Sequence, residues 1–243
     1  QSTPLAGATV TISVTLTANV DFPTGSTVTT AGMTGTQTAD SDTLAVVTSG
    51  LMGTSGAWRQ DPGTLVLTAA DGGTCAQGAA CTVTFDLQHA AAEYTPPTVR
   101  ISAAVNNGTT ALGSIAQADM VAPNAPLLGV VNGTNPLLVV LPEFDVRKIG
   151  QSNPLAGGSN TITVTIQSNV NLAQATHSSV VTISGLTNAA DAASLALTSV
   201  GANSGASLFS DGTTQGMGSL ISGILTLTVE GRGACLPGTL DCE

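Results

Sequence analysis

Three features of the sequence predict an all-β protein made of tandem β-sandwich repeats. Apolar and polar residues alternate with a period of two over Thr9–Thr17 and Thr161–Ile166, which is typical of half-buried strands. Further strand-like segments follow at short intervals, separated by turn residues such as Asp71-Gly72-Gly73. The motif QSTPLAG at Gln1–Gly7 returns as QSNPLAG at Gln151–Gly157, which indicates that whole domains are repeated.

The predicted strands of the first repeat are short runs rich in Val, Ile, Leu and Thr, which favour strands. In chain order they are Thr9–Thr17, Ser26–Thr30, Thr43–Thr48, Thr64–Ala69, Cys81–Leu87, Thr98–Val105 and Pro136–Leu141. The alternation in the first strand predicts four core-facing side chains: Val10, Ile12, Val14 and Leu16. For Ala111–Met120 we expect at most a turn or two of helix, because its apolar spacing is weak.

Segments of the second half match the first half in the same order. Thr27–Gly35 matches Val180–Asn188, Thr43–Val46 matches Ser194–Leu197, Thr64–Thr68 matches Ile224–Thr228, and Trp58 matches Phe209. In the copy of the first strand, we expect three residues to face the core: Ile162, Val164 and Ile166. A period of this length is too long for a solenoid coil and suits whole domains.

The predicted domains are therefore residues 1–150, a first β-sandwich repeat with its junction, and residues 151–243, a second copy. We expect the second copy to be incomplete, because it has no counterpart of Thr82–Gly150. An incomplete sandwich would expose open sheet edges, so we expect a neighbouring segment or subunit to complete it by strand addition. The predicted partners are copies of this chain in a head-to-tail polymer.

Composition excludes several other partners. Only 8% of the residues are charged, and five Lys and Arg against fifteen Asp and Glu give a formal net charge of −10. Such a surface repels phosphate backbones and anionic lipid headgroups, so no nucleic-acid partner is expected. The longest apolar run, Pro136–Leu141, is far shorter than a membrane-spanning helix, so no membrane insertion is expected within this segment.

The four cysteines form two close pairs in the sequence. We predict disulfides between Cys75 and Cys81 and between Cys235 and Cys242; free thiols and a zinc site are the alternatives. Zinc is disfavoured, because the two histidines lie at no ligand spacing to either pair. Disulfides place the protein in an oxidising compartment, so we expect an extracellular or cell-surface location.

The sequence predicts no enzyme and no cofactor, apart from the weak calcium sites described below. Neither His89 nor His177 has a counterpart in the other repeat, and both are expected to be solvated residues at a strand end or turn. Asp40 and Asp42 predict a weak calcium site, and Glu143 with Asp145 a second one; the alternative is a solvated acidic turn.

Two sequons, Asn107-Gly108-Thr109 and Asn132-Gly133-Thr134, predict N-glycans on Asn107 and Asn132 if the source is a eukaryote. Ordinary hairpin turns are the alternative interpretation of these Asn-Gly pairs. Trp58, the only tryptophan, is expected to pack against the core rather than form a binding face. Tyr94, the only tyrosine, is a candidate corner residue that bonds to the backbone.

Two motifs are typical of a known group of proteins. One is Pro-Leu-Ala-Gly followed by strands with alternating Thr, and the other is TISGLT at Thr182–Thr187. The chain resembles the tandem immunoglobulin-like repeats of very large secreted and cell-surface proteins of algae and other microbes. That group includes adhesins and the shaft proteins of extracellular filaments such as mastigonemes. The resemblance implies a structural subunit of an extracellular filament or surface stalk, with an adhesin or ligand-binding module as the alternative. Ice binding and an enzymatic activity are weaker alternatives.

Overall fold

The computed structural model describes residues 1–49, 52–70, 76–174, 177–200 and 205–230. In these residues the chain is nearly all β, with antiparallel strands, one short 3-10 turn at Gly205–Leu208 and no α-helix. None of the helical structure in the described ranges has the length and apolarity needed to cross a lipid bilayer. The chain divides into two compact units, which are treated separately below.

Unit 1 comprises Gln1–Leu127 and Val131–Leu141. Its strands are β1 (Thr9–Thr17), β2 (Thr27–Ala31), β3 (Ser41–Thr48), β4 (Met52–Arg59), β5 (Thr64–Ala69), β6 (Ala80–Gln88), β7 (Arg100–Asn107) and β8 (Thr110–Asp119). They form one curled sheet in the order β1-β6-β3-β4-β5-β2-β7-β8, in which neighbouring strands are antiparallel. This arrangement is compatible with a β-sandwich.

The core of unit 1 lies between the β1–β6 pair and the β2–β5 pair. As the alternation predicts, Val10, Ile12 and Val14 on β1 are buried and Leu16 is partly buried. They share one apolar cluster with Val83 and Phe85 on β6 and with further aliphatic residues, including Val28, Leu65 and Leu67. The outward face of β1 is polar: Thr11 donates its hydroxyl to the carboxylate of Asp86 over 2.6 Å. The period of two along β1 therefore separates the core from solvent.

Two sequence-based expectations for unit 1 are wrong. Ala111–Met120 contributes to strand β8 rather than to a helix, because the turn at Asn107–Thr110 folds it back onto β7. Pro136–Leu141 is not a regular strand: Val139 bridges Tyr94 and Val140 bridges Leu5, each as an isolated pair. Leu137 and Val139 of that segment are buried, but the segment forms no continuous ladder of backbone hydrogen bonds.

Unit 2 comprises Leu128–Val130 and Pro142–Glu243. Its strands are β9 (Phe144–Gln151), β10 (Ile162–Ser168), β11 (Ala173–Gln174), β12 (His177–Ser178), β13 (Val180–Ser184), β14 (Ala192–Ala196), β15 (Phe209–Ser210), β16 (Met217–Ile221) and β17 (Ile224–Val229). β9 and β10 form one hairpin, and a second sheet has the order β13-β17-β16-β14, with β15 also paired to β17. The predicted boundary at residue 150 falls inside β9.

The second sheet of unit 2 repeats three strand pairings of unit 1, which involve four strands. In unit 1, Val28 on β2 lies opposite Leu67 on β5; in unit 2, Val181 lies opposite Leu227. The next pairing agrees as well, since Trp58 lies opposite Leu65 in unit 1 and Leu220 opposite Leu225 in unit 2. The β3–β4 and β14–β16 pairs also share an irregularity in register, between Ser41 and Leu44 in unit 1 and between Ala192 and Leu195 in unit 2. Strands β13, β17, β16 and β14 therefore occupy the places of β2, β5, β4 and β3.

The structure corrects two expectations for unit 2: the residue that matches Trp58, and the residues of β10 that face the core. The position of Trp58 is taken by Leu220, whereas Phe209 pairs with Val229 as Met52 pairs with Ala69. On β10, Ile166 is buried and Val164 is partly buried, but Ile162 is 42% exposed. The core-facing prediction for β10 is therefore wrong at Ile162, which lies beyond the apolar cluster of unit 2.

Candidate functional site

His89 has a structural role at the end of β6. His89, expected to be solvated, is fully buried, and its Nε2–H donates to the carbonyl oxygen of Thr3 over 2.9 Å. Burial lowers the pKa of His89, because it disfavours the charged form of the ring. Its Nδ1 has no hydrogen-bond partner in the described ranges. His89 therefore fixes the N-terminal segment to the end of β6, while His177 lies in strand β12.

The predicted calcium carboxylates already have protein partners. Asp40 accepts the backbone N–H of Gln60 over 2.8 Å, and Asp42 forms an ion pair with Arg59. Unit 2 repeats the first contact, since Asp191 accepts the N–H of Ser222 over 2.8 Å. These carboxylates hold the turn between two strands.

The second predicted acidic pair flanks the start of β9, where Glu143 and Asp145 are both exposed. Over the part of the chain that the structure describes, no group of three or more His, Cys, Asp or Glu could hold a metal ion. The calcium sites therefore stay predictions.

The cysteine pairing and the glycan sites stay predictions. Cys81 is disulfide-bonded, but Cys75, Cys235 and Cys242 lie outside the described residues. Asn107 is exposed at the turn between β7 and β8, where an attached glycan would meet solvent.

The second sequon sits in a turn with tertiary hydrogen bonds. Asn132 is also exposed, yet the Thr134 hydroxyl that an N-glycosylation sequon uses donates to the carbonyl oxygen of Ala125 over 2.9 Å. Asn107 is therefore the more accessible of the two sequons.

The two aromatic residues singled out by sequence both have structural roles. Trp58 is fully buried, and its indole N–H donates to the carbonyl oxygen of Thr38 over 3.0 Å. The Tyr94 hydroxyl lies 2.9 Å from the hydroxyl of Thr34, and its ring packs directly over Gly35. Tyr94 thus bonds to a side chain, and the predicted backbone bond is made by its main chain with Val139.

The sheet edge formed by β13 is the first candidate site, because the matching strand of unit 1 is paired on both edges. In unit 1, β2 lies between β5 and β7; in unit 2, the equivalent strand β13 pairs with β17 on one edge. The other edge of β13 has no partner within the described ranges. Unpaired backbone N–H and C=O groups on such an edge form a template for another strand. We take this open edge of β13, together with Ser179 and Gly185 at its two ends, as the candidate functional site.

A groove in unit 1 is the second candidate. It has a volume of about 370 Å³ and lies between β1 and β8, the two terminal strands of the sheet. Its lining is largely apolar and includes Leu16, Phe22, Ile101, Ile115 and Met120. Its volume is at the lower end of the range of small-ligand sites.

The sequence predicts that the second repeat lacks strands, but it does not show which sheet edge lacks a neighbouring strand. The match between TVTTAGMTG and VVTISGLTN relates β13 to β2, but only the structure shows that β2 pairs on both edges. What the sequence could not supply was the sheet order, since β2 and β7 are joined by long-range pairing rather than by a hairpin.

Comparison with protein-family models, with curated proteins and with solved structures finds no match to this chain.

Proposed function

We propose that the chain is a structural subunit of an extracellular filament or cell-surface stalk, built from immunoglobulin-like β-sandwich repeats joined head to tail. The observation that carries the proposal is the open edge of β13, in a sheet that repeats four neighbouring strands of unit 1. A chain that carries an unfilled strand position recruits another chain segment. When subunits associate through two different surfaces, the assembly extends as a fibre unless the rotation between neighbouring subunits closes it into a ring.

The charge distribution supports contact between copies. In the described part of unit 1, both arginines are already in ion pairs, Arg59 with Asp42 and Arg100 with Asp119, and the remaining charged side chains are acidic. In unit 2, Arg147 and Lys148 are adjacent, exposed and without an ion pair among the described residues. A basic segment on one unit and an acidic surface on the other favour association of unlike units from different copies.

The disulfide-bonded Cys81 and the two sequons agree with an extracellular location. The outward face of β1 also suits an extracellular structural role, because it presents exposed Thr and Ser hydroxyls and β1 has no charged residue.

Electron microscopy and sedimentation of the full chain test the proposal. We expect unbranched linear particles whose length grows with protein concentration. The double variant R147Q/K148Q should shorten them, because it removes the unpaired basic residues. The matched control R59Q/R100Q changes net charge equally but removes cations that are already paired, so it should assemble more like the wild type. A chain that stays monomeric at all concentrations would refute the proposal.

One observation favours the alternative of an adhesin or ligand-binding module. The apolar groove between β1 and β8 could hold an extended apolar ligand of small cross-section. Replacing Ile115 with Gln would then abolish ligand binding without affecting filament length, which separates the two functions.

A further inference from the structure

We propose that the open edge of β13 accepts one extended polypeptide strand of the β7 type, docked antiparallel in the register that β7 adopts on β2. The proposed occupant is uncharged along its central stretch and has small aliphatic side chains at alternate positions. This inference rests on the proposed function, because it names the site and the chemistry through which one repeat would join the next.

One set of backbone hydrogen-bonding groups on β13 has no partner in the part of the chain that the structure describes. The N–H of Val229 donates to the carbonyl oxygen of Ser179 over 2.8 Å, so Ser179 turns its polar groups toward β17. Along an antiparallel strand these groups alternate in direction. The backbone N–H and C=O groups of Val181 and Ile183 therefore also point toward β17. Those of Val180, Thr182 and Ser184 point toward the open edge.

Ser179 repeats a residue that holds β7 in unit 1. The equivalent residue, Ser26, is fully buried, and its hydroxyl donates to the carbonyl oxygen of Asn106 over 3.1 Å and accepts the Asn106 N–H over 3.0 Å. Equivalence is shown by the backbone, since Ala69 donates to Ser26 as Val229 donates to Ser179, both over 2.8 Å. The Ser179 hydroxyl has no hydrogen-bond partner among the described residues, so the same clamp is present without the strand it would hold.

Gly185 leaves room at the other end of the edge. Its counterpart Gly32 adopts a φ of +87°, and a Cβ there would lie 2.5 Å from the carbonyl oxygen of Thr98, where the chain enters β7. Gly185 has nearly the same backbone, with a φ of +91°, but a Cβ there would meet nothing within 4 Å. The space that the β7 segment fills beside Gly32 is open beside Gly185.

The chemistry of the occupant follows from β7 itself. Ala103 of β7 lies opposite Val28 and faces the core, with Ile101 and Val105 packed against the same cluster. From Ile101 to Asn107, β7 has no charged residue, and neither does β13. A neutral strand meets no electrostatic penalty at a neutral edge, and its alternate aliphatic side chains would cover the apolar face around Val181 and Ile183.

Binding of a synthetic peptide to the full chain tests the proposal. The peptide has the sequence of residues 98–107 with blocked ends, and its affinity is measured by calorimetry. We expect saturable binding of one peptide per chain. Hydrogen exchange followed by NMR should show new protection at the amides of Val180, Thr182 and Ser184. The amides of Val181 and Ile183 should change little, because they already pair with β17.

Two control peptides separate strand docking from nonspecific adhesion. A peptide with Ala103→Asp places a carboxylate toward the apolar face and should bind at least about tenfold more weakly. A peptide with Ser102→Asp carries the same charge on the outward side and should bind nearly as well as the parent peptide. Equal loss in both peptides would overturn the proposed register.

Protein variants test the edge from the other side. Thr182→Pro removes one N–H from the open edge and leaves the pairing with β17 intact, and proline is tolerated on edge strands. It should abolish peptide binding, whereas Thr182→Ala should bind like the wild type. If circular dichroism shows that Thr182→Pro does not fold, Ser179→Ala provides the test, because loss of the hydroxyl clamp should weaken binding about three- to tenfold.

The outcomes distinguish this inference from the proposed function. Filaments that form without peptide binding at β13 overturn the inference and leave the filament function standing. Peptide binding at β13 by a chain that never polymerises overturns the filament function instead. Protection at β1 and β8 rather than at β13 would overturn the inference, because the peptide would then occupy the groove of unit 1.

Discussion

Replacing Ile12 and Ile162 separately by Ala tests how the same sequence position is used in the two units. The two isoleucines lie at matching positions of the sequence repeat, in β1 and β10, but Ile12 is 2% exposed and Ile162 is 42% exposed. Truncating a buried isoleucine costs about 2–5 kcal/mol, of which part is the cavity left behind. At Ile162 less apolar area returns to water and no closed cavity forms. We therefore expect about 2–5 kcal/mol for Ile12→Ala and about 1 kcal/mol for Ile162→Ala.

The assay can report on each unit separately. Trp58 is the only tryptophan and is buried in unit 1, so its fluorescence during urea denaturation follows unit 1 alone. Hydrogen exchange at the β13–β17 amides follows unit 2. Ile12→Ala should lower the midpoint of the fluorescence transition without accelerating exchange in β17, while Ile162→Ala should do the reverse to a smaller extent.

Ser13→Ala is the matched control for Ile12→Ala. Ser13 lies next to Ile12 on β1 but faces solvent, so its truncation should stay within about 0.5 kcal/mol of the wild type. If the fluorescence midpoint fell equally for Ile12→Ala and Ser13→Ala, the assignment of the inner face of β1 would be refuted. Equal costs at Ile12 and Ile162 would refute the difference in burial between the two units.

Three further predictions concern polar contacts. The folded pKa of His89 is lowered from 6.5, so below that pH the unfolded chain binds a proton that folded unit 1 excludes; the fluorescence midpoint should fall between pH 7 and pH 5, and less steeply in His89→Gln. The hydroxyl of Ser194, the N–H of Thr214, and the hydroxyl and N–H of Thr213 donate to Asp211 and hold its pKa well below 3.8. Asp211→Ala should therefore speed exchange in β16 at pH 7, and this difference should shrink as the pH falls below 3.8. Tyr94→Phe removes the contact with the Thr34 hydroxyl and should destabilise unit 1 by about 1 kcal/mol in the fluorescence assay; a cost near zero would show that water replaces that contact.

Local pattern predicted the strands that alternate clearly and failed where pairing partners decide the structure. The alternation in Thr9–Thr17 and the apolar run at Thr64–Ala69 match β1 and β5 in their bounds. Thr110–Asp119 has small residues and little periodicity, and it is a strand because β7 lies beside it. His89 looked like a solvated strand end, because nothing in its local sequence reveals that the N-terminal segment covers it. The open edge of β13 depends on sheet order, which local pattern does not encode.

The first residues of unit 1 run parallel to its last ones, and this direction determines how the unit carries tension. Leu5 and Val140 form a parallel bridge, in which Ala6 donates to Val140 over 3.0 Å and Val140 donates to Pro4 over 2.8 Å. The side chain of Gln1 adds three bonds, to Gly133, Leu137 and Leu138. A pull on residue 1 against residue 141 slides these two segments along each other, so all the bonds bear load together. A hairpin such as β7–β8, pulled apart at its open end, would instead release its bonds one by one. Unit 1 thus meets a stretching force in shear, at the two points where the chain enters and leaves it.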